Sequence, residues 1–103
     1  IKEGILFEVP PDASSGTGVK KELTCFLFSD VLIITKRKRV RKTLVYVDRI
    51  DLSAAQGSLQ DIPDNYRIWN SFSLTVPERS WYFMAETNDA KYGWVDALKD
   101  TMD

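Results

Sequence analysis

Apolar and polar residues alternate with a period of two in residues 43–52 and 67–76, a pattern typical of half-buried β-strands. Residues 26–28 and 31–34 are short apolar runs with a high β propensity. Short polar segments that favour turns lie between such stretches, among them Ser29-Asp30 and residues 77–80. Residues 10–18, with two Pro, two Gly and two Ser, are predicted to form a loop. We expect strands at residues 1–9, 20–28, 31–36, 43–52, 67–76 and 81–86, and residues 58–62 allow one more short strand.

The alternation in residues 43–52 also predicts which side chains are buried. Leu44, Tyr46, Ile50 and Leu52 should share the apolar face of this strand, interrupted by Asp48. Successive side chains of a strand point to opposite faces, so the residues between them should face solvent.

The period changes after residue 86, where the pattern becomes helical. Asn88 is a candidate N-cap, and Asp89 adds a negative charge where a helix dipole favours one. Gly93 is unfavourable inside a helix, and we attribute it to close packing beside Trp94. The predicted helix covers residues 88–102, and its apolar stripe contains Trp94, Val95, Ala97, Leu98, Thr101 and Met102.

This order of elements, six or seven strands followed by one helix, predicts a mainly β fold. The short connections suit antiparallel hairpins. Strands do not alternate with helices along the chain, so we do not expect a parallel sheet. An antiparallel sheet can bury one face by curling into a barrel or an orthogonal sandwich, which the terminal helix can close at one end. At 103 residues the chain is the size of one domain.

Positive charge is concentrated in one segment. Residues 1–42 hold nine basic and five acidic residues, whereas residues 43–103 hold five basic and ten acidic residues. A basic run of this kind can be a solvated loop, a contact with anionic lipid, a nucleic-acid or nuclear-localisation patch, or a site for an acidic protein. No stacking platform for nucleic-acid bases is evident, so we expect no nucleic-acid partner. The candidate lipid-binding residues are Lys20, Lys21, Lys36, Arg37, Lys38, Arg39, Arg41 and Lys42.

The residues needed for catalysis or metal binding are scarce. The chain has no His, no Gly-rich phosphate loop, and a single cysteine, Cys25, which reads as a small buried hydrophobe, with a reactive thiol as the alternative. We therefore expect no enzyme activity, no metal and no cofactor. There is no apolar stretch of membrane-spanning length and no signal-peptide pattern. Because the chain starts at Ile1, we expect it to be part of a larger protein.

Three segments resemble the pleckstrin homology (PH) family: Glu-Gly-Ile-Leu at residues 3–6, Phe-Leu-Phe-Ser-Asp-Val-Leu-Ile-Ile-Thr-Lys at 26–36, and Trp-Val-Asp-Ala-Leu at 94–98. The middle segment is similar to the Leu-Phe-Asn-Asp-x-Leu-Leu pattern of PH domains that follow a Dbl-homology module in Rho-family guanine nucleotide exchange factors. Arg-Ser-Trp-Tyr-Phe-Met-Ala-Glu at 79–86 fits the same subgroup. The resemblance implies a seven-stranded, strongly bent antiparallel barrel capped by the C-terminal helix. It also implies that residues 10–19 and 37–41 are the loops that hold a phosphoinositide headgroup in many members.

The chain departs from the pattern of tight phosphoinositide binders. Those members carry a basic residue late in strand one and Lys-x-Arg at the start of strand two, because several phosphates need converging cationic donors. Here the first position is Glu8, and no register near Glu22 yields Lys-x-Arg. Carboxylates repel phosphates, so the sequence favours weak, salt-sensitive contact with anionic membrane.

The resemblance therefore implies a non-catalytic PH module of a Rho-family exchange factor, cytoplasmic and peripheral at the inner face of the plasma membrane. It would regulate or position the exchange module through contacts with that module or with the GTPase, aided by weak binding to anionic membrane. The alternative is a membrane-recruitment or scaffold PH module of another signalling protein, such as a GTPase-activating protein. Trp69, predicted on the face opposite Phe72, is a candidate protein contact, although packing under a loop is the simpler reading.

Overall fold

The computed structural model describes residues 2–9, 21–38, 43–53, 58–64 and 69–102. The elements are β1 (Lys2–Glu8), β2 (Lys21–Leu27), β3 (Val31–Arg37), β4 (Leu44–Asp51), β5 (Leu59–Ile62), β6 (Ser71–Val76), β7 (Arg79–Met84) and α1 (Asn88–Met102). All the strands in these ranges belong to one antiparallel sheet with the order β4-β3-β2-β1-β7-β6-β5, so that β4 and β5 are its edges. The predicted mainly β fold with a C-terminal helix is confirmed, and the short fifth strand is present.

The sheet encloses one main apolar core. Aromatic side chains of β6 and β7 lie at its centre, where the rings of Trp81 and Phe83 stack with centroids 5.7 Å apart and Phe72 lies 5.5 Å from Phe83. Such ring pairs stabilise a core beyond the burial of their area. Alternate residues of β1, β2 and β3 complete the core with Leu6, Leu23, Cys25, Leu27, Leu32 and Ile34. Alternate residues of each of these strands therefore form its buried face.

The N-cap of α1 lies one residue before the predicted cap, Asn88. The hydroxyl of Thr87, rather than the side chain of Asn88, accepts a hydrogen bond from the Ala90 N–H at 3.0 Å. A cap accepts from the N–H three residues along, which places Thr87 at the N-cap and Asn88 inside the first turn. Asp89 keeps its predicted place in that turn.

Trp94 packs closely against Gly4 of β1 and not against Gly93, its neighbour in sequence. A Cβ added to Gly4 would lie 3.3 Å from Cζ2 of Trp94, so the ring packs directly against the backbone of β1. A Cβ on Gly93 would meet only the Lys2 ammonium, at 3.6 Å from Nζ. The close packing attributed to Gly93 is therefore provided by Gly4.

The strand β4 contains a bulge that changes which side chains it buries. Ile34 pairs with Asp48, but the next residue, Thr35, pairs with Tyr46, so that Val47 is an extra residue on β4. An extra residue shifts the alternation, and Tyr46 and Val47 are both exposed as a result. Ile50 and Leu52 are buried as predicted, whereas the prediction that Leu44 and Tyr46 share their face is wrong.

A buried lysine joins α1 to the edge strand β5. The Lys91 side chain is 3% exposed, and its ammonium donates a hydrogen bond to the Ile62 carbonyl at 3.2 Å. The same ammonium forms an ion pair with the Asp61 carboxylate. A buried charge needs such partners, so Lys91 fixes the position of the helix against β5.

Candidate functional site

Four chain segments meet at one end of the sheet. Neighbouring strands are antiparallel, so the end of β1, the start of β2, the end of β3 and the hairpin between β6 and β7 lie at this end. In the register of β1 and β2, Glu8 lies opposite Lys21. Among the described residues that the sequence singled out, Glu8, Lys21, Lys36 and Arg37 therefore lie at the same end of the sheet.

The described part of the basic run is exposed at this end. Lys36 and Arg37 end β3, and Lys38 follows, with its N–H donating to the Thr43 carbonyl at 2.9 Å. Lys36 continues the face of Leu32 and Ile34, whereas Arg37 lies on the opposite face. The strand therefore divides these cations between two faces. The other predicted lipid-binding residues, Lys20, Arg39, Arg41 and Lys42, lie outside the described residues.

The Glu8 carboxylate is not an isolated negative charge. It accepts a hydrogen bond from the Arg79 guanidinium at 2.6 Å, and the two form an ion pair. The same guanidinium lies 3.8 Å from the ring centroid of Trp81, the distance of a cation–π contact. Glu8 and Arg79 thus neutralise each other at the end of β1.

Arg79 is the residue of this site that the sequence reasoning did not identify. It is 71 residues away from Glu8, and nothing in the alternation of either strand indicates that the two would meet. The pairing of β1 with β7, which sets Glu8 opposite Phe83, brings them together. Since Arg79 already has a carboxylate partner, it adds little free positive charge to the site.

A cleft of about 340 Å³ lies between β4 and the hairpin of β6 and β7. Its charged residues are of both signs, so it is a poor site for a strongly anionic ligand. One of them, Asp51, accepts hydrogen bonds from the Ser53 hydroxyl at 2.8 Å and the Ser53 N–H at 3.1 Å. These bonds hold the pKa of Asp51 below its usual value of 3.8. The lining residues are Asp48, Arg49, Ile50, Asp51, Val76, Glu78, Arg79 and Trp81.

Trp69 lies apart from this end, just before β6. Its side chain is 45% exposed, and its carbonyl accepts a hydrogen bond from the Ser71 hydroxyl at 3.0 Å. The next residue, Asn70, adopts a left-handed φ of 55° and donates its N–H to Asp64 Oδ1. A role for Trp69 in protein contact stays a prediction.

The chemistry of the remaining candidates is limited. Cys25 is buried, and burial raises the pKa of its thiol to about 12. The structure therefore fits the prediction of a small buried hydrophobe better than that of a reactive thiol. Within the described ranges, no three acidic or cysteine side chains form a group that could hold a metal ion. The helix that the structure describes is neither long nor apolar enough to cross a membrane.

Comparison with solved structures shows what this fold is similar to. The chain superposes on the Slm1 PH domain in its complex with phosphoserine with a TM-score of 0.72 and 21% identity, covering 99% of this chain and 94% of that one. It superposes on the DH/PH domains of p115-RhoGEF with a TM-score of 0.76 and 16% identity, covering 99% of this chain and 29% of that one. The DH/PH fragment of PDZRhoGEF, solved in complex with human RhoA, gives a TM-score of 0.74 and 18% identity, with 99% and 28% coverage.

These identities establish the fold alone, and the chain spans less than a third of the two DH/PH chains. A search of curated protein sequences finds no match. The family assignment comes instead from a model of the SOS1/NGEF-like PH domain, a non-catalytic module, which matches residues 7–101. Because this match covers nearly the whole chain, the chain belongs to the SOS1/NGEF-like PH domain family.

Proposed function

We propose that this chain is the PH module of a Rho-family guanine nucleotide exchange factor, and that it regulates or positions the exchange module mainly through protein contacts. The match to the SOS1/NGEF-like PH family is the observation that carries this proposal. The DH/PH neighbours add support at the level of the fold. The PDZRhoGEF fragment among them was solved with RhoA, so a Rho-family GTPase or an adjacent Dbl-homology module is the partner we infer.

Binding to anionic membrane is the second and weaker part of the proposed role. Lys36, Arg37 and Lys38 are exposed at the end of β3, whereas Glu8 and Arg79 compensate each other beside them. Each basic residue near an anionic leaflet contributes about 1 kcal/mol, so these three contribute at most about 3 kcal/mol, and less when only some of them reach the surface. Attraction of this size is salt-sensitive and requires a second anchor for stable recruitment. We place the module in the cytoplasm, at the inner face of the plasma membrane.

Vesicle co-sedimentation tests the membrane part. Phosphatidylcholine vesicles with about 20% phosphatidylserine, with and without a phosphoinositide, would be used at about 50 mM and 200 mM salt. We expect weak binding that decreases at the higher salt and decreases about fivefold in Lys38→Gln. The matched control is Lys99→Gln, which removes one exposed positive charge from α1 and should bind like the wild type. Equal binding by both variants, or no binding at low salt, would exclude the basic run as the membrane contact.

Nucleotide exchange in solution tests the regulatory part. The protein that carries this chain would be compared with a version lacking residues 1–103, with Rho-family GTPases and without lipid. A changed exchange rate supports regulation through protein contacts. An unchanged rate, together with vesicle binding, would instead favour a recruitment module in another class of signalling protein.

A further inference from the structure

The outward face of strands β1 to β4 carries apolar side chains on each of the four strands. Residues directly opposite in a ladder project from the same face, so the register aligns this face in rows across the four strands. One row consists of Ile5, Thr24, Thr35 and Tyr46. Ile5 and Leu44 are each 40% exposed and Tyr46 is 60% exposed. The outer stripe comprises Ile5, Phe7, Phe26, Ile33, Leu44 and Tyr46.

The charges that flank the outer stripe are arranged with opposite signs at its two sides. The row next to that of Ile5 runs Glu3, Phe26, Ile33, Arg49, with an acid on β1 and a base on β4. On the other side, Phe7 pairs with Glu22 and Arg37 pairs with Leu44. Continuing the register of β2 and β3 places Glu22 opposite Arg37, again with the acid on the β1–β2 side.

If one row is turned end for end and laid over an identical row, each acidic residue therefore faces a basic residue and each apolar residue faces an apolar one. We propose that this face binds a second copy of the chain, forming a two-fold dimer in which the outer stripes pack against each other. A two-fold axis that runs parallel to the strands between β2 and β3 would lay β1 of one copy over β4 of the other. This operation keeps every row in place, so that Glu3 meets Arg49 of the second copy and Ile5 meets Tyr46. A two-fold interface repeats each contact, so both pairs occur twice.

The bulge in β4 is what completes the face. Without the extra residue Val47, the alternation that places Ile50 in the core would also turn Tyr46 and Leu44 inward. The bulge instead exposes Tyr46 and Val47 together, whereas Thr35, the ladder partner of Tyr46, is buried. Bulges can redirect side chains in this way.

The charges of the face favour a second copy over a membrane. Glu3 and Glu22 are both exposed here, and they would be repelled by anionic lipid. The nearby carboxylate of Asp51 accepts both of its hydrogen bonds from Ser53 within its own turn. Apolar residues flanked by both signs of charge match a surface of the same composition.

The area of the face limits the strength of the dimer. Four strands about 4.8 Å apart and three rows about 6.8 Å apart span about 400 Å² on each copy. Two copies would bury about 800 Å² in total, below the range of stable complexes, so the dimer is transient. We expect a dissociation constant of about 10–100 μM, and hence a dimer only where the chain is locally concentrated. This inference is independent of the exchange-factor assignment.

Sedimentation equilibrium of the 103-residue chain from about 5 μM to 500 μM tests the proposal. Charge reversal at one end of a row, Glu3→Arg or Arg49→Glu, should weaken association at least tenfold, because each places like charges together twice. The double variant Glu3→Arg/Arg49→Glu restores both pairs and should dimerise within about threefold of the wild type. Tyr46→Arg, in the centre of the face, should be monomeric throughout.

Two controls separate the interface from general effects. Asp96→Arg makes the same kind of charge change on an exposed position of α1 and should leave the dimer unchanged. Thermal melts followed by circular dichroism should show that every variant is folded. A wild-type chain that is monomeric at 500 μM would overturn the proposal. So would single reversals that dimerise normally, or a double variant that fails to recover.

Discussion

The ion pair between the buried Lys91 of α1 and the half-exposed Asp61 of β5 provides the most direct test of how this fold is held together. Asp61→Asn removes the negative partner of Lys91 but leaves its ammonium in a position where the side chain is only 3% exposed. Breaking a fully buried pair from one side costs about 3–5 kcal/mol. Asp61 is 54% exposed, so water compensates part of the loss, and we expect a cost of about 1–2 kcal/mol.

Replacing Lys91 itself should lower the free energy of unfolding by no more than Asp61→Asn does. Lys91→Met keeps the length of the side chain and removes the charge, leaving mainly the Ile62 carbonyl without its donor. A lost neutral partner of this kind costs about 1 kcal/mol. In the Lys91→Met background, Asp61→Asn should then be almost neutral, because no buried charge remains to be compensated. The two changes are therefore expected to be non-additive by about 1–2 kcal/mol.

Urea unfolding followed by tryptophan fluorescence measures these differences. With a urea dependence of about 1–1.5 kcal/mol per molar for a domain of this size, Asp61→Asn should lower the midpoint by about 1 M. Asp96→Asn, an equivalent change at an exposed position of α1, should shift the free energy of unfolding by less than about 0.5 kcal/mol. If Asp61→Asn costs the same with Met as with Lys at position 91, the stated reason is wrong.

Three further predictions concern single positions. Gly93→Ala should raise the free energy of unfolding by about 0.5–1 kcal/mol, because only the flexible end of Lys2 is nearby, whereas Gly4→Ala should lower it; urea midpoints that move in the same direction would contradict this. Cys25, whose pKa is raised to about 12 by burial, stays protonated at pH 8 and should react with a thiol reagent only as urea unfolds the chain; stoichiometric labelling in native buffer would refute its burial. Glu8→Gln should release Arg79 from its ion pair and strengthen binding to anionic vesicles about fivefold, as measured by co-sedimentation; unchanged binding would mean that Arg79 does not reach the membrane.

Local pattern determined most of the secondary structure of this protein. The strands and the helix follow from the hydrophobic period and from turn residues, which act over a few positions of the chain. The burial of Ile50 and Leu52 was predictable for the same reason, as was the burial of Trp94 and Leu98 on the stripe of α1. The resemblance to PH domains rested on these same segments.

The helix α1 also shows what the spacing of residues within one segment cannot predict. Lys91 lies three residues before Trp94 and seven before Leu98, on the buried stripe. Its position signals burial, but its partners on β5 belong to a distant part of the chain. Spacing along the helix cannot reveal whether a buried lysine will find a carboxylate.

The candidate site was determined only by the tertiary structure. The basic run was visible in the sequence, but the compensation of Glu8 by Arg79 depends on the pairing of β1 with β7. The outer face likewise depends on a bulge, where a single extra residue reverses the alternation of half a strand. Charge balance and surface composition are set by contacts between residues far apart in the chain, and such contacts exist only once the strands have paired.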